Sequence, residues 1–182
     1  MRAPPRILLA CLLLGGCETL PPLSDMAGDT TLSGKIKITQ GGKTSTSNFS
    51  WTQTSGGFDA YFWGVMGAGT TRLHGDSEIL AIESRDLRTS GPAEEILQEQ
   101  LGWSLPVALL LAWVRGEPES GMPVDKLQRN AEGVVESFEQ MGWRLRLDRF
   151  DDAGGYRRLR AASGDVAVLI VVGQRRKSGS LK

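Results

Sequence analysis

Hydrophobic and polar positions alternate from Leu32 onward. Leu32, Gly34, Ile36 and Ile38 fall on one side, and Ser33, Lys35, Lys37 and Thr39 on the other. This is the signature of a strand with one covered face. Gly41-Gly42 turns the chain into Thr44–Gln53, where Phe49 and Trp51 share a face, and Ser55-Gly56-Gly57 turns it into Phe58–Trp63. Thr70–His74, Glu78–Glu83 and Leu87–Thr89 predict three more short strands, antiparallel to their neighbours because the connections are short. The period then changes. Proline and acids at Gly91-Pro92-Ala93-Glu94-Glu95 open a helix with an Ile96, Leu97, Leu101 stripe, which Gly102 ends. A second helix over Val107–Val114 is apolar almost all round and is closed by Arg115-Gly116. Glu117–Lys126 reads as a loop. Strands are expected again at Gly133–Gln140, Trp143–Asp148, Tyr156–Ala162 and Val166–Val172, with no internal repeat.

Six strands, two helices and four strands predict a mostly β, α+β domain. A single antiparallel sheet of about ten strands should curl. Curling, with an apolar helix pair inserted mid-chain, predicts an open, incomplete barrel with a helical lid near 93–115 and an internal hydrophobic cavity.

Ahead of this domain stands a different kind of segment. Met1–Arg6 is basic, Ile7–Leu14 is an apolar run, and Gly15-Gly16-Cys17 follows. A basic start, a short apolar core and small residues before a boundary make a secretory signal, and the run is far shorter than the ~20 residues of a membrane span. Leu14-Gly15-Gly16-Cys17 resembles the bacterial lipobox, in which the cysteine is acylated and becomes the first mature residue. Residues 1–16 are then the signal peptide, 17–31 an acylated tether, 32–174 the folded domain and 175–182 a frayed basic tail. Glu18, rather than aspartate, after Cys17 is compatible with sorting to the outer membrane.

Composition and charge narrow the chemistry. Lysine plus arginine and aspartate plus glutamate are 21 each, so the formal charge is zero, which speaks against a nucleic-acid binder. Loss of residues 1–16 removes Arg2, Arg6 and Cys11, leaving Cys17 without a disulfide partner. One histidine and two cysteines exclude most zinc sites. His74 lacks an accompanying nucleophile or paired ligand and is read as a surface residue. Asp148, Asp151 and Asp152 read as a solvated turn, and Arg144 and Arg146 as a solvated strand face. No catalytic residue, metal or cofactor is expected.

The chain resembles the LolB family of outer-membrane lipoprotein receptors. The resemblance runs from about Leu32 to Gln174. It rests on the lipobox at Cys17, Phe49-Ser50-Trp51-Thr52-Gln53, and the Val65-Met66-Gly67 loop before Thr70–His74. Gly102-Trp103-Ser104-Leu105-Pro106 with Leu110–Gly116, and Phe138-Glu139-Gln140-Met141-Gly142-Trp143, complete it. It implies an unclosed antiparallel barrel under helices, whose cavity takes the acyl chains of a client lipoprotein. The client arrives from a soluble periplasmic carrier of LolA type and passes into the inner leaflet of the outer membrane. The protein itself would be a lipid-anchored monomer facing the periplasm, without nucleotide or metal.

Two groups of side chains follow from this reading. Val65 and Met66, flanked by glycines, form the projecting membrane-insertion loop; the family carries leucine where Met66 stands, and methionine keeps the apolar character. Phe49, Trp51, Trp103, Leu109, Leu110 and Trp113 are candidate cavity lining, because a helix apolar on every side has more such surface than one interface consumes. The alternatives are an ordinary hairpin with Met66 folded back, and a closed core. At the level of function they are a lipid-binding or lipid-transport lipoprotein with a different client, or a structural envelope lipoprotein with a filled core.

Overall fold

A computed structural model describes residues 30–64, 69–101, 106–152 and 154–177. Eleven strands and two helices follow one another in the order β1 (Thr30–Gln40), β2 (Lys43–Thr54), β3 (Gly57–Trp63), β4 (Thr70–Gly75), β5 (Ile79–Glu83), β6 (Arg88–Pro92), α1 (Ala93–Leu101), α2 (Val107–Arg115), β7 (Asp125–Arg129), β8 (Val135–Gln140), β9 (Trp143–Phe150), β10 (Tyr156–Ser163) and β11 (Val166–Lys177). They make one sheet in the order β6-β5-β4-β3-β2-β1-β11-β10-β9-β8-β7. Every pairing is antiparallel. β6 and β7 are the two ends, so the sheet curls without closing.

Side-chain alternation sorts the strands into two faces. Leu32 on β1, Phe49 and Trp51 on β2, Phe58 and Ala60 on β3 and Leu145 and Leu147 on β9 are buried on the inner face. Lys35, Lys37, Arg144 and Arg146 are exposed on the outer one. Where β1 crosses β11, the register shifts between Ser33 and Gly34. Gly34 is the residue this bulge requires: a Cβ there would stand 2.0 Å from the Val171 carbonyl oxygen.

Three sequence expectations need correction. The 117–126 segment was expected to be loop throughout, but Asp125 and Lys126 open an eleventh strand, β7. All five β7 residues are exposed, so no alternation marks it. Arg175 and Arg176, expected in a frayed tail, pair with Leu32 and Thr31. Thr30 and Thr31, expected in the tether, likewise belong to β1, opposite Gln53 and Thr52 of β2.

The helices cover the concave side. α1 leaves β6 directly, carries Glu94 and Glu95 in its first turn and buries Ala93, Ile96 and Leu97. α2 buries Val107, Leu109, Ala112, Trp113 and Val114 and ends at Gly116, whose φ of 89° is the left-handed conformation of a helix stop. Gly116 is also tightly packed, since a Cβ would meet the Tyr156 ring at 3.1 Å.

Candidate functional site

An apolar cavity of about 280 Å³ lies between the inner face of the sheet and the helices. β1 contributes Leu32, Ile36 and Ile38, and β2 contributes Phe49 and Trp51. Leu159 and Ala161 of β10 and Val168 and Ile170 of β11, the strands that follow β1 in the sheet, continue this wall. The roof is Leu97 of α1 with Leu110, Trp113 and Val114 of α2. Leu110, Trp113 and Val114 follow the i, i+3, i+4 spacing of one helix face. Ser47, Thr71 and Tyr156 are the polar residues in the lining, and no charged side chain is among them.

The polar atoms of the larger wall residues are engaged elsewhere. Trp51 stacks on Phe58 with ring centroids 4.4 Å apart, and its indole N–H donates to Gln53 Oε1 at 3.3 Å. Gln53 Nε2 in turn donates to the Leu111 carbonyl at 3.2 Å. Trp113 packs against Trp143 and Phe138, and its N–H donates to Gln140 Oε1 at 3.2 Å. Gln140 is 2% exposed yet fully used: its Oε1 also accepts from the Glu119 N–H, and its Nε2 donates to the Glu119 and Met122 carbonyls. The Trp51 and Trp113 indoles therefore offer the cavity only their apolar surface. Buried polar groups satisfied in this way avoid a desolvation cost.

Tyr156 closes one corner. Its hydroxyl donates to the Val114 carbonyl at 2.9 Å, and burial pushes its pKa up to about 12, keeping the phenol neutral. The Arg175 guanidinium sits 4.9 Å from its ring centre and donates to the Tyr156 carbonyl at 3.0 Å. Arg175 lies 3.8 Å from Asp151. This ion pair ties the end of β11 to the β9–β10 turn, so Asp151 is not simply part of a solvated turn.

Of the residues singled out in the sequence, Phe49, Trp51, Leu110 and Trp113 stand together in the cavity wall. Leu109 is fully buried but does not belong to that wall. Cys17, Val65, Met66 and Trp103 lie outside the described residues. The ends of the β3–β4 connection are described: Trp63 pairs with both Asn48 and Thr70. Gln53, Gln140 and Tyr156 were not anticipated, and neither was the β1 and β10–β11 wall, although the Leu32–Ile36–Ile38 alternation marks its first strand.

His74 lies on the outer face, 3.9 Å from Glu83, beside a bidentate Arg72–Asp59 pair that holds the Asp59 carboxyl below the usual carboxylate range. Among the described residues no group of three or more His, Cys, Asp or Glu could hold a metal ion. No helix among them is long and apolar enough to cross a membrane.

Comparison with known proteins agrees with this architecture. In solved structures the fold is similar to that of a LolA superfamily protein from Nitrosomonas europaea (TM-score 0.56, 7% identity, 86% of this chain and 89% of that one). It is also similar to a DUF1329 family protein from Desulfovibrio piger (TM-score 0.55, 11% identity, 87% and 89%). In sequence the chain is 31% identical to the outer-membrane lipoprotein LolB of Pseudomonas aeruginosa over 146 residues, 78% of this chain and 71% of the relative. It is 28% identical to that of Halorhodospira halophila over 163 residues, 81% and 80%. Residues 29–174 match the family described as outer membrane lipoprotein LolB, and the chain belongs to that family.

Proposed function

We propose that this protein is a lipid-anchored receptor of the outer membrane. It faces the periplasm, accepts lipoproteins from a soluble carrier of LolA type by binding their acyl chains, and inserts them into the inner leaflet. The observation that carries this reading is the apolar cavity of about 280 Å³ under α2. At roughly 30 Å³ for a water-sized unit, it holds about nine methylenes. Each methylene buried is worth about 0.8 kcal/mol, so filling the cavity contributes about 7 kcal/mol of hydrocarbon burial, from which the cost of immobilising the chain is subtracted. A site of that strength can receive an acyl chain and still lose it to a bilayer that buries the whole chain.

In this reading Cys17 carries the anchor, and Phe49, Trp51, Leu110 and Trp113 contact the client's chain. Val65 and Met66 direct the chain into the membrane. Burying one such side chain is worth ~1.5–3 kcal/mol, enough to bias a handover and too little to anchor the protein. The protein works as a monomer, and it moves a ligand rather than converting one. A structural envelope lipoprotein with a filled core has no use for the void, so the cavity favours the receptor.

The test is a two-step transfer. A carrier loaded with a fluorescent acylated client is mixed with the Cys17→Ala chain, and vesicles are added afterwards. The client should move to the receptor and then to the vesicles, and Met66→Glu should slow only the second step. A client that stays on the carrier would refute the receptor role. Insertion at the normal rate by a folded Met66→Glu chain would remove the loop from the mechanism.

A further inference from the structure

The outer face of the sheet carries a second pattern, which the cavity does not use. Strand pairing sets Arg146 of β9 opposite Arg160 of β10, Arg160 opposite Leu169 of β11, and Leu169 opposite Lys37 of β1. The next rung runs Asp148, Arg158, Val171, Lys35 in the same strands. Neighbouring strands are ~4.8 Å apart, so Arg146 and Lys37 bracket a strip about 14 Å wide. Val171, in its middle, is 41% exposed.

The acids of this face are already occupied. Asp148 pairs with Arg160 and Arg158, and Glu139, which flanks Arg144, pairs with Lys126 at 2.9 Å. Lys35, Lys37, Arg144 and Arg146 are exposed and make no ion pair among the described residues. Like charges directly opposite one another, as Arg146 and Arg160 are, weaken a sheet. In a chain of zero formal charge, such segregation serves something other than folding.

We infer that this convex basic strip, with its exposed Val171 and half-buried Leu169, docks on anionic lipid headgroups and holds the barrel against the bilayer. The cavity lies on the concave side of the sheet, so the convex strip is free for another surface. Where Cys17 is acylated, as proposed above, that surface is always near: Cys17 lies thirteen residues before Thr30, at most ~45 Å of extended chain. Cations around a small aliphatic centre match a surface of phosphates over hydrocarbon.

The test uses the mature chain, residues 17–182 with Cys17→Ala, which lacks the basic and apolar segment 1–16, so that binding reports the folded surface with its tether. It is sedimented with vesicles of phosphatidylcholine, or of phosphatidylcholine mixed with phosphatidylglycerol. Both hold the same acyl chains, so capture in the cavity registers equally in the two, and failure of the receptor reading leaves this comparison intact. The chain should bind the anionic vesicles preferentially and lose them at high salt. Lys35→Gln, Lys37→Gln and Arg146→Gln together should weaken binding roughly a hundredfold, about fivefold per cation, with a melting temperature no lower than the parent's. An equal number of neutralisations outside the strip, at Arg85, Arg115 and Arg129, should have little effect. Equal losses in the two triple variants would reduce the effect to net charge and overturn the inference. So would binding indifferent to phosphatidylglycerol, or a strip that binds an acidic protein but not these vesicles.

Discussion

Ala161→Leu separates a cavity from a well-packed core by the sign of its effect on stability. Ala161 is 4% exposed and stands in the cavity wall opposite the α2 roof. Leucine adds three carbons, about 90 Å³ at ~30 Å³ per water-sized unit, against a void of about 280 Å³. In a close-packed core the same change would cost ~1–3 kcal/mol of strain. Directed into an empty apolar space, it should instead stabilise the fold by about 2 kcal/mol of buried hydrocarbon. For a chain of this size that raises the melting temperature by roughly 4–8 °C.

Binding must move the other way. The added side chain displaces about three methylenes of an acyl ligand, worth ~0.8 kcal/mol each, which weakens binding roughly fiftyfold. The assay pairs a thermal melt with titration of a fluorescent fatty acid on the same preparation. A lower melting temperature with unchanged probe affinity would refute the void and the acyl site together.

Three further outcomes follow from named contacts. Gln140→Leu leaves the Trp113 N–H and the main-chain groups of Glu119 and Met122 without their partner; it should cost ~2–4 kcal/mol, read as a melting temperature lower by roughly 10 °C. Tyr156 ionises near pH 10 when unfolded but near 12 when folded, so its contribution is complete below pH 10 and is lost as the pH rises towards 12; urea titrations across that window should show a shallower alkaline loss in Tyr156→Phe than in the parent. Gly34→Ala places a Cβ 2.0 Å from the Val171 carbonyl oxygen and should cost ~3 kcal/mol or more. Gly42→Ala, strained in φ but with open space around it, should cost nearer ~1 kcal/mol; equal costs in chemical denaturation would contradict the bulge.

The sequence made the strands legible wherever one face was buried, because alternation is a direct record of a two-sided sheet. β7 shows the limit: Asp125–Arg129 is exposed throughout, and its pairing with β8 leaves no trace in the pattern. The cavity was legible as a surplus, in a helix apolar on every side, but its wall was not. Such a helix carries no angular signal, so nothing in Val107–Val114 distinguishes Leu110, which meets the void, from Leu109, which is buried outside its wall. Gln53 and Gln140 were invisible for another reason. The Leu111 carbonyl lies 58 residues from Gln53 in sequence, and only the tertiary fold brings the two together.

Those polar side chains bear on how a domain keeps a hole at its centre. At about 24 cal/mol per Å³, a void of about 280 Å³ costs on the order of 7 kcal/mol, comparable to the whole stability of an ordinary domain. The cost matches what nine buried methylenes return, so the unoccupied protein holds in reserve about the free energy that the ligand releases. Collapse of the roof would recover that free energy without a ligand, and apolar packing alone favours collapse. Gln53 on β2, Gln140 on β8 and Tyr156 on β10 oppose it. They hold the Leu111 carbonyl, the Trp113 N–H and the Val114 carbonyl of α2 at fixed distances from three strands. Hydrogen bonds are directional where hydrophobic contact is not, so they set a height for the helix above the sheet. α1 buries Ala93, Ile96 and Leu97, and no side-chain hydrogen bond from it to the sheet is present among the described residues. The two helices are therefore held differently: polar struts from three strands fix α2 above the sheet, whereas α1 leaves β6 directly and is tied at its first residue by the Ala93 N–H to the Glu78 carbonyl at 2.9 Å.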